Sequence, residues 1–288
     1  MRTLSVIVRS CNDIAWIRTT LERLKTQHLP DGWRLELVTI DNASDDGTAQ
    51  VLEEMNADGI RLHWPRGKYV PGKVLNAAIA HCSGEIVIFN NADSVPMTQD
   101  YLEKLAGPLA RDEAEAVFAR QEPRKDARPL IRKDYERAFG DGKIAAGWKH
   151  FFSLAAAGTR REVLVQEAFR EDLQYSEDIE WSYRLRRHGG RIVYVAEAMV
   201  EHSHNYTLKQ TAKRFYQEGV ADGRIFGGEC SLLRTFLLPY GRETLRDAAY
   251  LAKNGKWCQM PYESCFRLVQ RWNFWRGRKA GLRGEICR

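Results

Sequence analysis

One repeated order constrains this chain more than anything else in it. Through its first third, a short apolar run ends in a polar cluster, and a stretch with helical spacing follows. Residues 4–8 are rich in β-branched side chains and stop at Arg9-Ser10-Cys11-Asn12-Asp13. Residues 35–40 stop at Asp41-Asn42-Ala43-Ser44-Asp45-Asp46-Gly47, and residues 85–89 at Asn90-Asn91-Ala92-Asp93-Ser94. Helical patterns fill 14–25, 48–56 and 72–81, and a short third strand is expected at 60–63. Strands alternating with helices of this length form βαβ units and a mostly parallel sheet. Such sheets bind ligands beyond the carboxyl ends of their strands. The polar clusters after Arg9, Asp41 and Asp93 sit at those ends.

The second half is less regular. Strands are expected at 114–119, 151–157, 191–195 and 199–202, and short helices at 160–167 and from Ser176 to His188. Ser176 is a candidate N-cap, and Gly189-Gly190 closes the second of these helices. Residues 121–150, rich in charge, Gly and Pro, read as a long excursion, which inside a domain is often functional. After Thr207 the pattern is helical. The reading is therefore an α/β domain at 1–206 with a helical extension at 207–288.

Charge is distributed unevenly. The chain carries +6, but residues 241–288 hold 11 Lys/Arg against 4 Asp/Glu, leaving the rest close to neutral. A near-neutral body argues against a nucleic-acid partner. No apolar run reaches the ~18–20 residues of a membrane span. The six cysteines form no CxxC pair and suit the cytosol.

Several acids have the position and type for chemistry. Asp93, at a strand end, suits a hard divalent cation on a phosphate, or merely caps the turn before Pro96. Asp41 suits a base or ribose, or an Asx turn with Ser44. Glu177, Asp178 and Glu180 crowd a helix start, where acids complement the macrodipole. Asp178 shares a face with Trp181 and could deprotonate a hydroxyl. The helix start should weaken it as a base unless burial or a neighbouring acid compensates. His202 and His204 flank Ser203, either as metal ligands or as packed residues.

Taken in order, the motifs Val6-Ile7-Val8-Arg9-Ser10-Cys11-Asn12, Asp41 to Thr48, Gly84 to Asp93 and Glu177-Asp178-Ile179-Glu180-Trp181 resemble a family 2 glycosyltransferase of the GT-A fold. The resemblance covers about residues 3–220. Arg120-Gln121-Glu122-Pro123 and His202-Ser203-His204-Asn205-Tyr206 are similar to the rhamnosyltransferase-like bacterial branch. The resemblance implies a Rossmann-like sheet and an inverting single displacement from a UDP- or dTDP-linked sugar to a glycan or lipid-linked hydroxyl, with Mg²⁺ or Mn²⁺. It implies Asp178 as catalytic base and Asp93 with His202 as metal ligands. It further implies Arg9, Asp41, Lys73 and Asn91 on the donor side, and Glu177 and Trp181 on the acceptor side. Asn91 stands where the family's metal motif has its first acid, and Leu75-Asn76 where an Arg-Asn pair is common. A nucleotidyltransferase and a non-catalytic nucleotide-sugar-binding protein are the alternatives. The former usually carries a Gly-rich loop after its first strand, absent here.

The tail is read in two ways. Tyr262, Cys265, Phe266, Val269, Trp272 and Trp275 form an apolar stripe, with Arg267, Arg271 and Arg278 on another face. A basic amphipathic helix of this kind lies on membrane surfaces. Alternatively the stripe packs on the catalytic domain and the arginines are solvated. The first reading places the protein in the cytoplasm, peripheral on the inner face of the cytoplasmic membrane.

Overall fold

A computed structural model describes residues 1–284 apart from Gly147 and Lys149, so the last four residues of the basic tail lie outside the described residues. In chain order the main elements are β1 (Arg2–Ser10), α1 (Ile17–Lys25), β2 (Trp33–Asp41), α2 (Thr48–Met55), β3 (Ile60–His63), α3 (Pro71–His81), β4 (Ile86–Asn91), β5 (Val95–Pro96), α4 (Tyr101–Ala110) and β6 (Ala116–Glu122). They continue with α5 (Pro129–Phe139), α6 (Lys143–Ala146), β7 (Ala156–Arg160), α7 (Arg161–Gln166), α8 (Glu177–Arg187), β8 (Ile192–Glu201), α9 (Leu208–Phe226), α10 (Leu238–Lys253) and α11 (Met260–Leu282). The chain divides into two compact units. The first comprises Met1–Arg124, Arg137–Asp172 and Glu177–Ser203; the second comprises Lys125–Glu136, Leu173–Ser176 and His204–Arg288.

The first unit is built on one sheet with strand order β3-β2-β1-β4-β7-β6-β8-β5. β1 pairs in parallel with β2 and β4, β2 with β3, and β6 with β8; β7 runs antiparallel between β4 and β6. The central strands are buried on both faces, which is why they read as unbroken apolar runs. Leu4, Val6, Val8, Ile86 and Ile88 pack with Ile17, Leu21 and Leu24 of α1. The register sets the level at which the strands stop: Ser10 pairs with Asp41, and Arg9 with Asn91.

Three elements of the second half differ from the sequence pattern. The strand expected over 151–157 is β7, displaced toward Arg160, because Phe151 and Phe152 stack edge-on to Phe118 at 5.6 and 5.9 Å instead of entering the sheet. The two short strands at 191–195 and 199–202 are one strand, β8, with a register shift opposite Ala119 and Arg120. The excursion at 121–150 contains α5 and α6.

In the second unit, α9 starts at a capping box in which Thr207 and Gln210 satisfy each other's backbone amides. α9 and α11 then touch backbone to backbone. A Cβ on Gly219 or Gly223 of α9 would lie 2.2 Å from Phe274 O or 2.6 Å from Arg278 O. One on Gly277 or Gly281 of α11 would lie 2.0 Å from Tyr216 O or 2.2 Å from Val220 O. Each helix thus presents glycines four residues apart to the other, and no side chain fits at the contact.

The polar interior of this unit corrects the reading of the tail arginines. Arg267 is only 3% exposed and donates to Asp247 (2.8 Å), Asp134 (3.1 Å) and Gln270 (2.6 Å). Arg271 pairs with Glu243, Arg278 with Asp222, and Lys133 with Asp247. Glu243, Asp247 and Leu251 recur every fourth residue, so they form the buried face of α10. The acids of α10, together with Asp134 of α5 and Asp222 of α9, draw inward the guanidinium groups that the sequence placed outside. Arg128 closes the cluster over the Phe266 ring at 4.4 Å.

Candidate active site

The loops after β1 and β2 are stitched together by side chains bonded to main chain. Asn12 N donates to Ser44 Oγ, Asp45 N to Asn12 Oδ1, Asp13 N to Thr48 Oγ1 and Ile14 N to Asp46 Oδ2, all at 2.9–3.0 Å. Asn12 and Ala43 both hold positive φ in these loops, at 59° and 50°. Two strand ends therefore form one fixed ledge, bearing Arg9 on one strand and Asp41 on the next.

Arg9 is the hub of the ledge. Its guanidinium reaches Asn91 Oδ1 on the neighbouring strand (3.2 Å), Tyr69 Oη (3.3 Å) and Glu177 Oε1 at the start of α8 (3.0 Å). Burial works against its charge, but Tyr69 and Glu177 beside it hold its pKa above the usual value. One side chain thus ties the first strand, the fourth strand and the start of α8 together.

Asp178 follows Glu177. Its carboxylate accepts from the main-chain N–H of Ile179 at 2.8 Å and from that of Leu154 at 3.5 Å. Burial first, and the negative Glu177 second, push its pKa up to about 7. Both compensations that the sequence reading required are present. Ser176, the expected N-cap, has a φ of 59°, outside the extended geometry of a cap residue.

A second cluster lies at Asp93. His202 Nε2 is 3.5 Å from Asp93 Oδ2, and its other ring nitrogen meets Gln121 Oε1 at 2.8 Å. That second contact orients the ring, as a partner behind a metal-ligating histidine does. Arg124 Nη2 is 3.6 Å from the same Asp93 oxygen. The Arg124 guanidinium also donates to the carbonyls of Asp93 (2.6 Å) and Ser203, and lies 3.8 Å above the Trp16 ring. The Arg120–Pro123 and His202–Tyr206 motifs meet here, because β6 and β8 are neighbours and His202 N bonds to Glu122 O at 2.9 Å.

Comparisons with known proteins identify the family and the fold. The family model described as glycosyl transferase family 2 matches residues 5–166, more than half of the chain. The chain belongs to glycosyl transferase family 2. It is 26% identical over 229 residues to the O-antigen chain rhamnosyltransferase RfbN of Salmonella typhimurium, spanning 75% of this chain and 71% of that one. Among solved structures, it is similar to the mannosyltransferase PcManGT of Pyrobaculum calidifontis in complex with GDP-Man and Mn²⁺, with a TM-score of 0.67, 19% identity, and 98% and 87% of the two chains covered. S. aureus TarS 1–349 in complex with UDP matches at a TM-score of 0.55 and 17% identity, with 100% and 93% covered. The fold is GT-A, as the sequence resemblance implied, and the chain is a glycosyltransferase.

Within this family 2 glycosyltransferase, some expected site residues occupy other roles. Trp181 is 1% exposed, stacks against Phe152 and Phe169, and spends its indole N–H on Glu167 O. It cannot face an acceptor, because its apolar ring completes the core. Glu177, expected on the acceptor side, is held by the Arg9 guanidinium at 3.0 Å. Asp41 accepts from Ser44 N and Ser44 Oγ, at 3.1 and 2.6 Å, in the Asx turn that was the alternative reading. Lys73 is exposed on α3. Asn76, on the same helix, grips Phe169 N and O and so pins the chain that leads toward α8. Sequence reading missed Arg124, Tyr69 and Gln121. Gln121 lay inside a motif already singled out and Arg124 directly follows it, but no spacing rule links either to His202.

Proposed function

We propose that this glycosyltransferase transfers rhamnose from a dTDP- or UDP-linked donor, with inversion, to a hydroxyl of a lipid-linked surface glycan, using residues 1–206 as its catalytic part. The observation that carries the proposal is Asp178: a carboxyl held near pKa 7 on a helix start tied to the strand ends through Glu177 and Arg9. A base with that pKa is half-ionised at neutral pH, close to the optimum for general-base catalysis. Asp178 takes the acceptor hydroxyl's proton as oxygen attacks the anomeric carbon. We assign Arg9 and the exposed Lys73 to the diphosphate, and Asp41, which Ser44 holds in its Asx turn, to the pyrimidine. The rhamnosyl and O-antigen parts rest on the similarity to RfbN.

The residues at Asp93 fit a divalent cation. A carboxylate oxygen and an oriented imidazole nitrogen lie close together, and His204 follows two residues on. A mixed nitrogen–oxygen donor set favours Mn²⁺ over Mg²⁺, which prefers oxygen alone. A cation held there would supply Lewis-acid stabilisation of the departing diphosphate. Arg124 adds a fixed positive charge at the same place.

The acceptor's lipid would put the enzyme at a membrane surface. Among the described residues no helix is long and apolar enough to cross a membrane, so the proposed contact is peripheral.

The test is a panel of dTDP-, UDP- and GDP-linked sugars with a lipid-linked acceptor, with and without chelation, reading nucleoside diphosphate release and product. Turnover with a pyrimidine donor, lost on chelation and restored by Mn²⁺, is expected. Turnover with GDP-mannose alone would overturn the pyrimidine assignment, and turnover indifferent to chelation would overturn the metal.

A further inference from the structure

In the second unit the acids and the cations separate by depth. Between residues 232 and 283 the acids are Glu243, Asp247 and Glu263, and all three are buried. Arg267, Arg271 and Arg278 turn inward and are paired. The cations left outside are Arg234, Arg242, Arg246, Lys253, Lys256, Arg276, Lys279 and Arg283, all exposed. The solvent side of this segment therefore carries positive charge only. It is more basic than the composition indicates, because the neutralising acids have been used inside.

The same surface is apolar to an unusual degree. A π-helical turn, Leu232–Leu237, leads into α10. Leu232, Leu233, Leu237 and Leu238 are exposed there, Leu245 is 74% exposed one face-repeat further along α10, and Trp257 is 60% exposed at its far end. Phe236 binds this stretch to α11: its ring lies against Tyr240 at 5.8 Å and edge-on to the exposed Trp272 at 5.4 Å. Arg276 follows Trp272 by one turn of α11. Leucines and tryptophans among cations, with no acid, are the composition of a helix lying in a bilayer interface.

We propose that this face, formed by the Leu232–Leu237 turn, the outer side of α10 and Trp272 with Arg276 of α11, docks on an anionic lipid surface. The leucines and Trp272 enter the interface while Arg234, Arg242 and Arg246 meet the headgroups. Charge complementarity selects lipid: a protein partner would have to be acidic throughout and also accept exposed leucines. The proposal rests on the peripheral membrane location given above and names the face responsible. It replaces the stripe drawn from sequence, whose arginines are internal.

Sedimentation of the full-length protein with vesicles tests it. Binding is expected to phosphatidylcholine vesicles containing phosphatidylglycerol, weakened by salt, and not to pure phosphatidylcholine. Each cation near such a surface contributes about fivefold in partitioning, so Arg242→Glu with Arg246→Glu should lower it by about thirtyfold or more. Leu237→Ser with Leu238→Ser should weaken binding as well, and both positions are exposed enough to spare the fold. The matched reversal Arg23→Glu with Arg187→Glu, in the first unit, should change it less than twofold. Three results would overturn the proposal: no vesicle binding, equal loss in the matched reversal, or undiminished binding in the leucine variant. Glycosyl transfer to a soluble acceptor, measured without vesicles, should persist in every variant. Its absence in the parent would count against the catalytic reading, not against the docking face.

Discussion

Two buried ionic clusters, one in each unit, use the same residue types to opposite ends. Around Arg267 the charges are saturated: Asp247, Asp134 and Glu243 all lie within 3.6 Å of one guanidinium, and Lys133 shares Asp247. Around Arg9 the guanidinium takes Glu177 and Asn91, while Asp178 receives only main-chain amides among its described hydrogen bonds. The saturated cluster holds helices together. The unsaturated one leaves a carboxyl whose ionised form is costly, and a costly charge is a basic one.

The widest separation between the clusters should come from Asp178→Asn. Rates of glycosyl transfer should fall about 10²–10⁴-fold, while thermal unfolding stays where it was or moves up, since a repelling charge beside Glu177 is gone. A rate within a few-fold of the parent would remove Asp178 from the role of base. Asp247→Ala should do the reverse. It strands the buried Lys133, takes one of three acids from around Arg267, and should destabilise the second unit by about 3–5 kcal/mol, read by chemical denaturation. A loss below ~1 kcal/mol would mean that the cluster holds little together. Next, Gly277→Ala places a methyl group 2.0 Å from Tyr216 O and should cost about 1–3 kcal/mol, whereas Gly255→Ser, with open space around it, should cost less despite its positive φ. Smallest is a shift in the pH profile. Asp178 must be ionised to act, so activity should climb as pH rises through about 7. Glu177→Gln removes the like charge and should move that climb to lower pH. A profile that does not move would assign the raised pKa to burial alone.

Much of the first unit could be read from residues alone. Parallel strands buried on both faces must be apolar throughout, and the change to polar residues marks where each stops. That is why Arg9, Asp41 and Asp93 stood out. Asp178 was legible for a similar reason, being an acid at a helix start beside another acid. The errors have separate causes. Trp181 was placed by its family motif and its nearness to Asp178, which say nothing of core packing, and the arginines of α11 by amphipathic spacing, which assumes that charge faces water. α10 breaks the assumption by turning Glu243 and Asp247 inward, so its partner helix must turn arginines inward as well. No pattern within either helix reveals this, since the compensation lies between them. Arg124 was hidden differently: it gains its place only because β8 returns beside β6. The single boundary drawn at residue 206 also conceals that residues 125–136 and 173–176 pack with the helical unit, a long-range fact absent from local composition.

The glycines of α9 and α11 have a consequence for orientation. Sliding either helix by a residue, or turning it about its axis, would drive side chains into the space where two backbones now meet. The contact therefore works as a keyway and fixes the phase of α11. Which of its residues look outward, Trp272 and Arg276 among them, is decided by four positions that have no side chain of their own.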